Sequence, residues 1–208
     1  MGRESTKVLI ALPAMDTLPT QTAYSLLTLE RDCPSRVSFI VRMAVHDARD
    51  KLAHEAMESG ADRVLWLDSD MVFPSDMMRR MGDVLDGGAD AVSGMYFKRE
   101  LPTSPVVYKI VDAVARQAEP FWDYPTDALF QVAGFGFGAV MMTTELLHRV
   151  ETRTGALFAP IPGLSEDLSF CRRALDVGAR LMCDSRIKLG HVGLVTYGEA
   201  MYKRPDNA

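Results

Sequence analysis

Asp68 and Asp70, in the stretch Arg63 to Pro74 (RVLWLDSDMVFP), are the first residues whose type and spacing could do chemistry. Val64, Leu65, Trp66 and Leu67 form a short apolar run of buried-strand length, and it ends abruptly in Asp68-Ser69-Asp70. In extended backbone, residues two apart face the same way, so both carboxylates address one point just beyond the strand. A divalent ion such as Mg2+ or Mn2+ there would take one or two carboxylates and complete its shell with water and phosphate oxygens. The pair therefore suits a bound diphosphate. The plainer alternative is a solvated loop leading into a helix that starts near Pro74-Ser75-Asp76, since Ser and Asp are common helix caps.

Four further places carry candidate chemistry. Ser165-Glu166-Asp167 opens a helix, where a serine cap and acids in the first turn are favoured on helix grounds alone. These acids also follow the turn-rich Ala159-Pro160-Ile161-Pro162-Gly163, and a carboxylate held over the sheet by that loop could take a proton from an attacking hydroxyl. His191, flanked by Gly190 and Gly193, is either structural or, beside a bound metal, a neutral imidazole ligand. Arg49, in HDARDKLAHEA, reaches a phosphate or a base, or else pairs with an acid along its own helix. Gly134, Gly136 and Gly138 recur with period two, which bares one face of a strand either to a ligand or to tight packing against another strand. The same run fits G-x-G-x-x-A, but a dinucleotide fingerprint belongs in the first βα turn, so that match is rejected.

The elements that must position these residues alternate. Lys7 to Leu12 reads as a first strand that stops at Pro13, and a helix follows over Thr17 to Glu30 with Pro19 in its first turn. Val37 to Val41 is a strand, Ala44 to Ser59 a helix stopped by Gly60, and Val64 to Leu67 the third strand. A helix over Asp76 to Leu85, short strands at Ala91 to Ser93 and Val106 to Ile110, and a helix from Thr143 or Thr144 come next. Leu168 to Asp176 is helical, and Arg186 to Leu189 strand-like. This order implies an α/β fold with a mostly parallel central sheet and helices on both faces. Ligands of such sheets bind beyond the carboxyl ends of the strands, where Pro13, Arg42 and Asp68 fall.

The 208 residues contain no Gly/Ser-rich or Pro-rich linker, which implies one domain over 1–208, with a core of about 6–195 and a tail from Tyr197 to Ala208 that closes over the site or is disordered. Cys33, Cys171 and Cys183 are odd in number and form no C-x-x-C pair, so they read as reduced. With 28 acids against 23 bases there is no general basic footprint for nucleic acid or an anionic membrane. The pairs Lys98-Arg99, Arg172-Arg173 and Lys203-Arg204 read as solvated surface, with a local patch for an anionic acceptor as the alternative. No segment approaches the length of a membrane span and the amino-terminal apolar stretch is too short for a signal peptide, so a soluble, cytoplasmic protein is expected.

Taken together, the order of features resembles a known family. A first strand, A-R-x-x-L (Ala48, Arg49, Leu52), L-x-L-D-S-D, a Gly-rich strand, S-E-D-L-x-F-C-R-R-A and a late G-H look like the glycosyltransferases of the GT-A fold, with the small family-2-like transferases of phage and prophage most similar. The resemblance implies that Asp68 and Asp70 hold a divalent metal, Mn2+ or Mg2+, and the diphosphate of a nucleotide-sugar donor, and that His191 completes the metal site. It implies Asp167 as catalytic base with Glu166 in support, Pro13 and Arg49 near the donor nucleotide, and Gly136 and Gly138 where donor sugar and acceptor meet. It leaves the acceptor hydroxyl open between a glycan, a protein and a modified DNA base, the last sitting least easily with the acidic balance. Two other readings stand beside it. A nucleotidyltransferase also places carboxylates at strand ends, but would want a Gly- and Lys/Arg-rich loop where Ala11 to Asp16 has neither. A non-catalytic sugar-nucleotide or glycan-binding module of the same fold is the other.

Overall fold

The computed structural model describes residues 5–193 and 196–201. In chain order the elements are β1 (Val8–Ala14), α1 (Thr20–Thr28), β2 (Ser35–Val41), α2 (Val45–Glu58), β3 (Arg63–Leu67), β4 (Met71–Val72), α3 (Met77–Asp86), β5 (Ala91–Met95), β6 (Val107–Asp112), β7 (Gln117–Pro120), β8 (Leu129–Gln131), β9 (Gly134–Phe135), β10 (Ala139–Thr143), α4 (Thr144–Thr154), α5 (Glu166–Asp176), β11 (Leu181–Lys188), β12 (Gly190–Val192) and β13 (Thr196–Tyr197). A 3-10 turn at Glu199–Met201 follows. A seven-stranded sheet in the order β2-β1-β3-β10-β5-β11-β8 forms the centre. β2, β1, β3, β5 and β11 run one way, and β10 and β8 run against them. The sheet is thus mostly parallel, in an α/β fold.

The central strands are apolar on both faces because helices cover both. Alternate residues sort cleanly between two cores. Leu9, Ala11, Val64, Trp66, Val140 and Met142 face Leu52 and Ala56 of α2, Leu146 and Val150 of α4, and Phe170 and Ala174 of α5. Val8, Ile10, Leu12, Leu65, Leu67, Ala139 and Met141 face Met77, Met81 and Leu85 of α3. Trp66, fully buried, packs edge-on to Phe158 at 5.2 Å between ring centroids, and Phe158 stacks on Phe170 at 4.9 Å. That aromatic column fixes α5 relative to β3, so the start of α5 and the end of β3 are held together.

Several boundaries differ from the sequence reading, three of them with a clear physical reason or consequence. β1 continues through Pro13, paired only with β2 there, because β3 accompanies it no further than Ala11; a missing N–H costs little on a strand with one free side. α1 starts at Thr20, with Pro19 at its N-cap position rather than inside its first turn. β11 begins five residues before Arg186 was expected to start it, at Leu181, and its pairing with β5 shifts between Asp184 and Lys188. The helix after β10 starts at Thr144, with Thr143 Oγ1 accepting the Leu146 N–H at 3.2 Å as its N-cap. Of the expected tail, β13 pairs back onto β12, with Tyr197 opposite His191; residues 202–208, including Lys203-Arg204, lie outside the described residues. Cys33, Cys171 and Cys183 form no disulfide, and among the described residues no helix is long and apolar enough to cross a membrane.

Candidate active site at the ends of β1 and β3

β3 ends at Leu67, and the chain turns at once. The Asp68 N–H donates to Gly138 O at 2.9 Å, extending the β3–β10 pairing by one bond, and the Met71 N–H closes the turn onto Asp68 O at 3.4 Å. Asp68 and Asp70 are therefore not consecutive same-face residues of a strand. They leave a turn in different directions, to different partners, while lining one cleft of about 290 Å3 with Pro13, Arg49, Glu166, Asp167, Arg99 and His191. Extended-strand geometry fails here because the strand has already ended.

Arg49 is the hub of one half. Its side chain, 3% exposed, donates from Nη2 to Asp68 Oδ1 at 2.9 Å and from Nη1 to Glu166 Oε1 at 2.5 Å, and its guanidinium carbon lies 5.0 Å from the centre of the Phe137 ring. The buried face of α2, with Ala48 and Leu52 around it, delivers Arg49 inward, so it makes no exposed pair along its own helix. Burial pushes the Asp68 carboxyl up, with Arg49 opposing and Asp70 and Asp167 adding to the rise; the third of Asp68 that stays exposed limits how far it moves. Burial raises Glu166 in the same way, against Arg49.

Asp70 anchors the other half. Its Oδ2 forms an ion pair with Arg99, 2.8 Å from Nη1, and lies 3.5 Å from His191 Nε2. Burial would raise the Asp70 carboxyl, but the hydrogen bond and charge of His191 and the charge of Arg99 outweigh it and hold that carboxyl below its ordinary value. His191 is oriented from behind, its Nδ1 lying 3.0 Å from the Phe97 carbonyl oxygen. That carbonyl can only accept, so Nδ1 carries a proton; Nε2 is the nitrogen that faces Asp70, a donor to its carboxylate while it carries a proton and a lone-pair ligand for a cation when it does not.

Asp167 stands apart from both ion-pair systems. Its Oδ1 accepts the Leu168 N–H at 2.7 Å and the Ser165 hydroxyl, and its Oδ2 has no hydrogen-bond partner among the described residues. Ser165 holds the N-cap position of α5 without a side-chain bond to the helix's own N–H groups; its hydroxyl orients Asp167 instead.

Gly136 and Gly138 do not open onto the cleft. Both are buried, and a Cβ on Gly136 would stand 2.1 Å from the Tyr96 hydroxyl and 2.5 Å from Val106 Cγ1, while one on Gly138 would stand 2.8 Å from Tyr96 Cζ. The Gly138 N–H donates to the Tyr96 hydroxyl at 3.0 Å. The space beside these two glycines, which lie between β9 and β10 rather than within one strand, is filled by the chain's own Tyr96. Sequence reasoning also missed Arg99. The usable signal was its place in the loop directly after β5, at the carboxyl edge of the sheet, where ligands of such sheets bind.

A divalent ion has a partial protein donor set here. Among the described residues no three His, Cys, Asp or Glu side chains converge as a metal group, since Asp68 is turned to Arg49. Asp70 Oδ2 and His191 Nε2, 3.5 Å apart, do fit two bonds of about 2.1 Å to one ion, and a hard cation completed by water and phosphate oxygens needs no more from the protein. A larger cleft of about 430 Å3 is lined by residues of α3, β8 and β11, but its buried Asp184 is already bound by Arg186 through both carboxylate oxygens.

No family model matches the chain, and no curated protein matches it. Solved structures do. A197 from STIV superposes with a TM-score of 0.67 at 20% identity, covering 90% of this chain and 86% of that one. GalNAc-T7, solved with UDP, GalNAc and Mn2+, superposes with a TM-score of 0.60 at 9% identity, covering 90% of this chain and 44% of that one. At these identities the likeness shows the fold, and the fold is GT-A-like.

Proposed function

We propose that this chain is a metal-dependent glycosyltransferase, a single domain of the small family-2-like kind, that moves a sugar from a nucleotide-diphosphate donor to an acceptor hydroxyl with inversion. The observation that supports this most is the sorting of the carboxylates: Asp68 and Glu166 are tied to Arg49, Asp70 sits with Arg99 and His191, and Asp167 keeps a free oxygen in the same cleft. Asp70 and His191 would hold Mn2+ or Mg2+ together with the donor's phosphate oxygens. The bound ion supplies Lewis-acid neutralisation of the leaving diphosphate. Asp167 Oδ2 takes the proton of the acceptor hydroxyl as its oxygen bonds to the anomeric carbon, and the bond from that carbon to the phosphate oxygen breaks, leaving its electron pair on the nucleoside diphosphate. Arg49, buried behind both acidic motifs, positions Asp68 and Glu166 rather than touching the donor. Pro13 lines the wall of the cleft. Three cysteines that form no disulfide fit the reducing cytoplasm, where this reading puts the protein.

The test uses water in place of the acceptor. Nucleoside diphosphate released from UDP-, GDP-, CDP- and dTDP-sugars is followed with Mn2+ and with EDTA. Release from one donor, dependent on Mn2+, with the freed sugar inverted at its anomeric carbon by proton NMR, is the expected result. Retained configuration would remove Asp167 as base. A second reading, a non-catalytic sugar-nucleotide-binding module, is favoured by the hold of Arg49 on Asp68, and it expects binding with no release from any donor.

A further inference from the structure

Arg99 touches Asp70 at the atom that also faces His191. Its Nη1 reaches the Val192 carbonyl too, at 3.3 Å, so one guanidinium bridges β12 and the acidic turn. The loop that presents it is closed by its own bonds: the Lys98 N–H donates to Ser104 O at 2.9 Å, Thr103 Oγ1 to Lys98 O at 2.6 Å, and Ser104 Oγ to Glu100 Oε1 at 2.8 Å. Thr103 and Ser104 are buried under it. Arg99 itself is 48% exposed, with solvent on the side away from Asp70.

A cation at Asp70 Oδ2 and a guanidinium at the same oxygen compete for one negative charge. We propose that Arg99 is a resident counter-ion of the metal site. It holds Asp70 while the cleft has no ligand, yields that oxygen to the divalent ion, and turns its guanidinium onto the donor's diphosphate, whose paired oxygens match its planar donors. Metal entry and anion capture are thereby coupled through one side chain. This inference rests on the metal-and-donor reading of the cleft.

Arg99→Gln separates the two roles by sign. Without nucleotide, Mn2+ binding followed by loss of the free-ion electron paramagnetic resonance signal tightens roughly two- to five-fold, the worth of a half-exposed ion pair. With Mn2+ present, affinity for the nucleoside diphosphate that the wild type prefers among UDP, GDP, CDP and dTDP falls about ten-fold or more, the worth of charge-assisted hydrogen bonds. Lys98→Gln changes net charge equally one residue away and leaves both affinities as in the wild type. Equal behaviour of the Arg99 and Lys98 variants overturns the inference while leaving the donor site standing, as does weaker Mn2+ binding in Arg99→Gln. A wild type that binds neither Mn2+ nor any nucleoside diphosphate overturns both the inference and the function it rests on.

Discussion

Asp167→Asn is expected to lower the rate of nucleotide-sugar turnover by about 10^2- to 10^4-fold, the usual worth of a positioned general base. Donor affinity should stay within about two-fold, because the side chain belongs to neither ion-pair system in the cleft. The amide oxygen can still accept the Leu168 N–H and the Ser165 hydroxyl, so the start of α5 should keep its shape. What is lost is the basicity of Oδ2. Steady-state rates with the preferred donor, alongside titration calorimetry with its nucleoside diphosphate, check both halves. Full turnover in the variant would put the base elsewhere, and the free carboxylate oxygen would then be a consequence of helix capping alone.

Arg49→Met is expected to destabilise the fold by about 3–5 kcal/mol, since removing one member of a buried ion-pair group leaves uncompensated charge. Here two carboxylates lose their partner at once, together with the contact to Phe137. For a chain of this length the melting temperature should drop by roughly 6–20 °C. The pH dependence has a definite sign. Asp68 and Glu166 already sit above their ordinary values with Arg49 present, so without it they rise further. Groups whose folded pKa is raised contribute stability that is present below their unfolded pKa and lost as pH rises through the folded one. The variant should therefore recover stability relative to wild type as pH falls from 8 towards 5. Adding Asp68→Asn and Glu166→Gln to Arg49→Met should restore much of the loss at neutral pH, because neutral amides carry no charge to bury. Chemical denaturation at two pH values measures this directly; a penalty independent of pH would mean that Arg49 acts through packing alone.

The parts of this fold legible in the sequence are those that local physics decides. The apolar run of β3, the Thr143 cap of α4 and the Gly60 stop after α2 each follow from a few neighbouring residues. Pro13 misled because a proline ends a strand only where its missing N–H is needed, and that depends on β3 stopping at Ala11, a fact of the sheet rather than of the segment. The antiparallel insertion of β10 between β3 and β5 is likewise a long-range choice that no local period encodes. At the site, residue types were readable and pairings were not. Arg49 looked equally at home on a helix surface, and only the packing of α2 against the sheet shows that it is buried behind two acids. The glycine run reads as one strand with a bare face, yet β9 ends at Phe135 and β10 begins at Ala139, and what packs on Gly136 and Gly138 between them is Tyr96, some forty residues earlier in the chain. Arg99 was read as half of a surface pair because nothing in Lys98-Arg99 reveals that the next turn of chain folds over Asp70.

The central claim is that this cleft binds a nucleotide-diphosphate sugar through a metal held at Asp70. Thermal unfolding of the wild type with UDP-, GDP-, CDP- and dTDP-sugars, each with Mn2+ and with EDTA, tests it most directly, because a ligand that binds only the folded state raises its apparent stability. At about one hundred times its dissociation constant, one donor should stabilise by about 2.7 kcal/mol, a rise of roughly 5–10 °C for this length, when Mn2+ is present and not in EDTA, and Asp70→Ala should abolish the rise. Unchanged melting with every donor, with and without Mn2+, would contradict it.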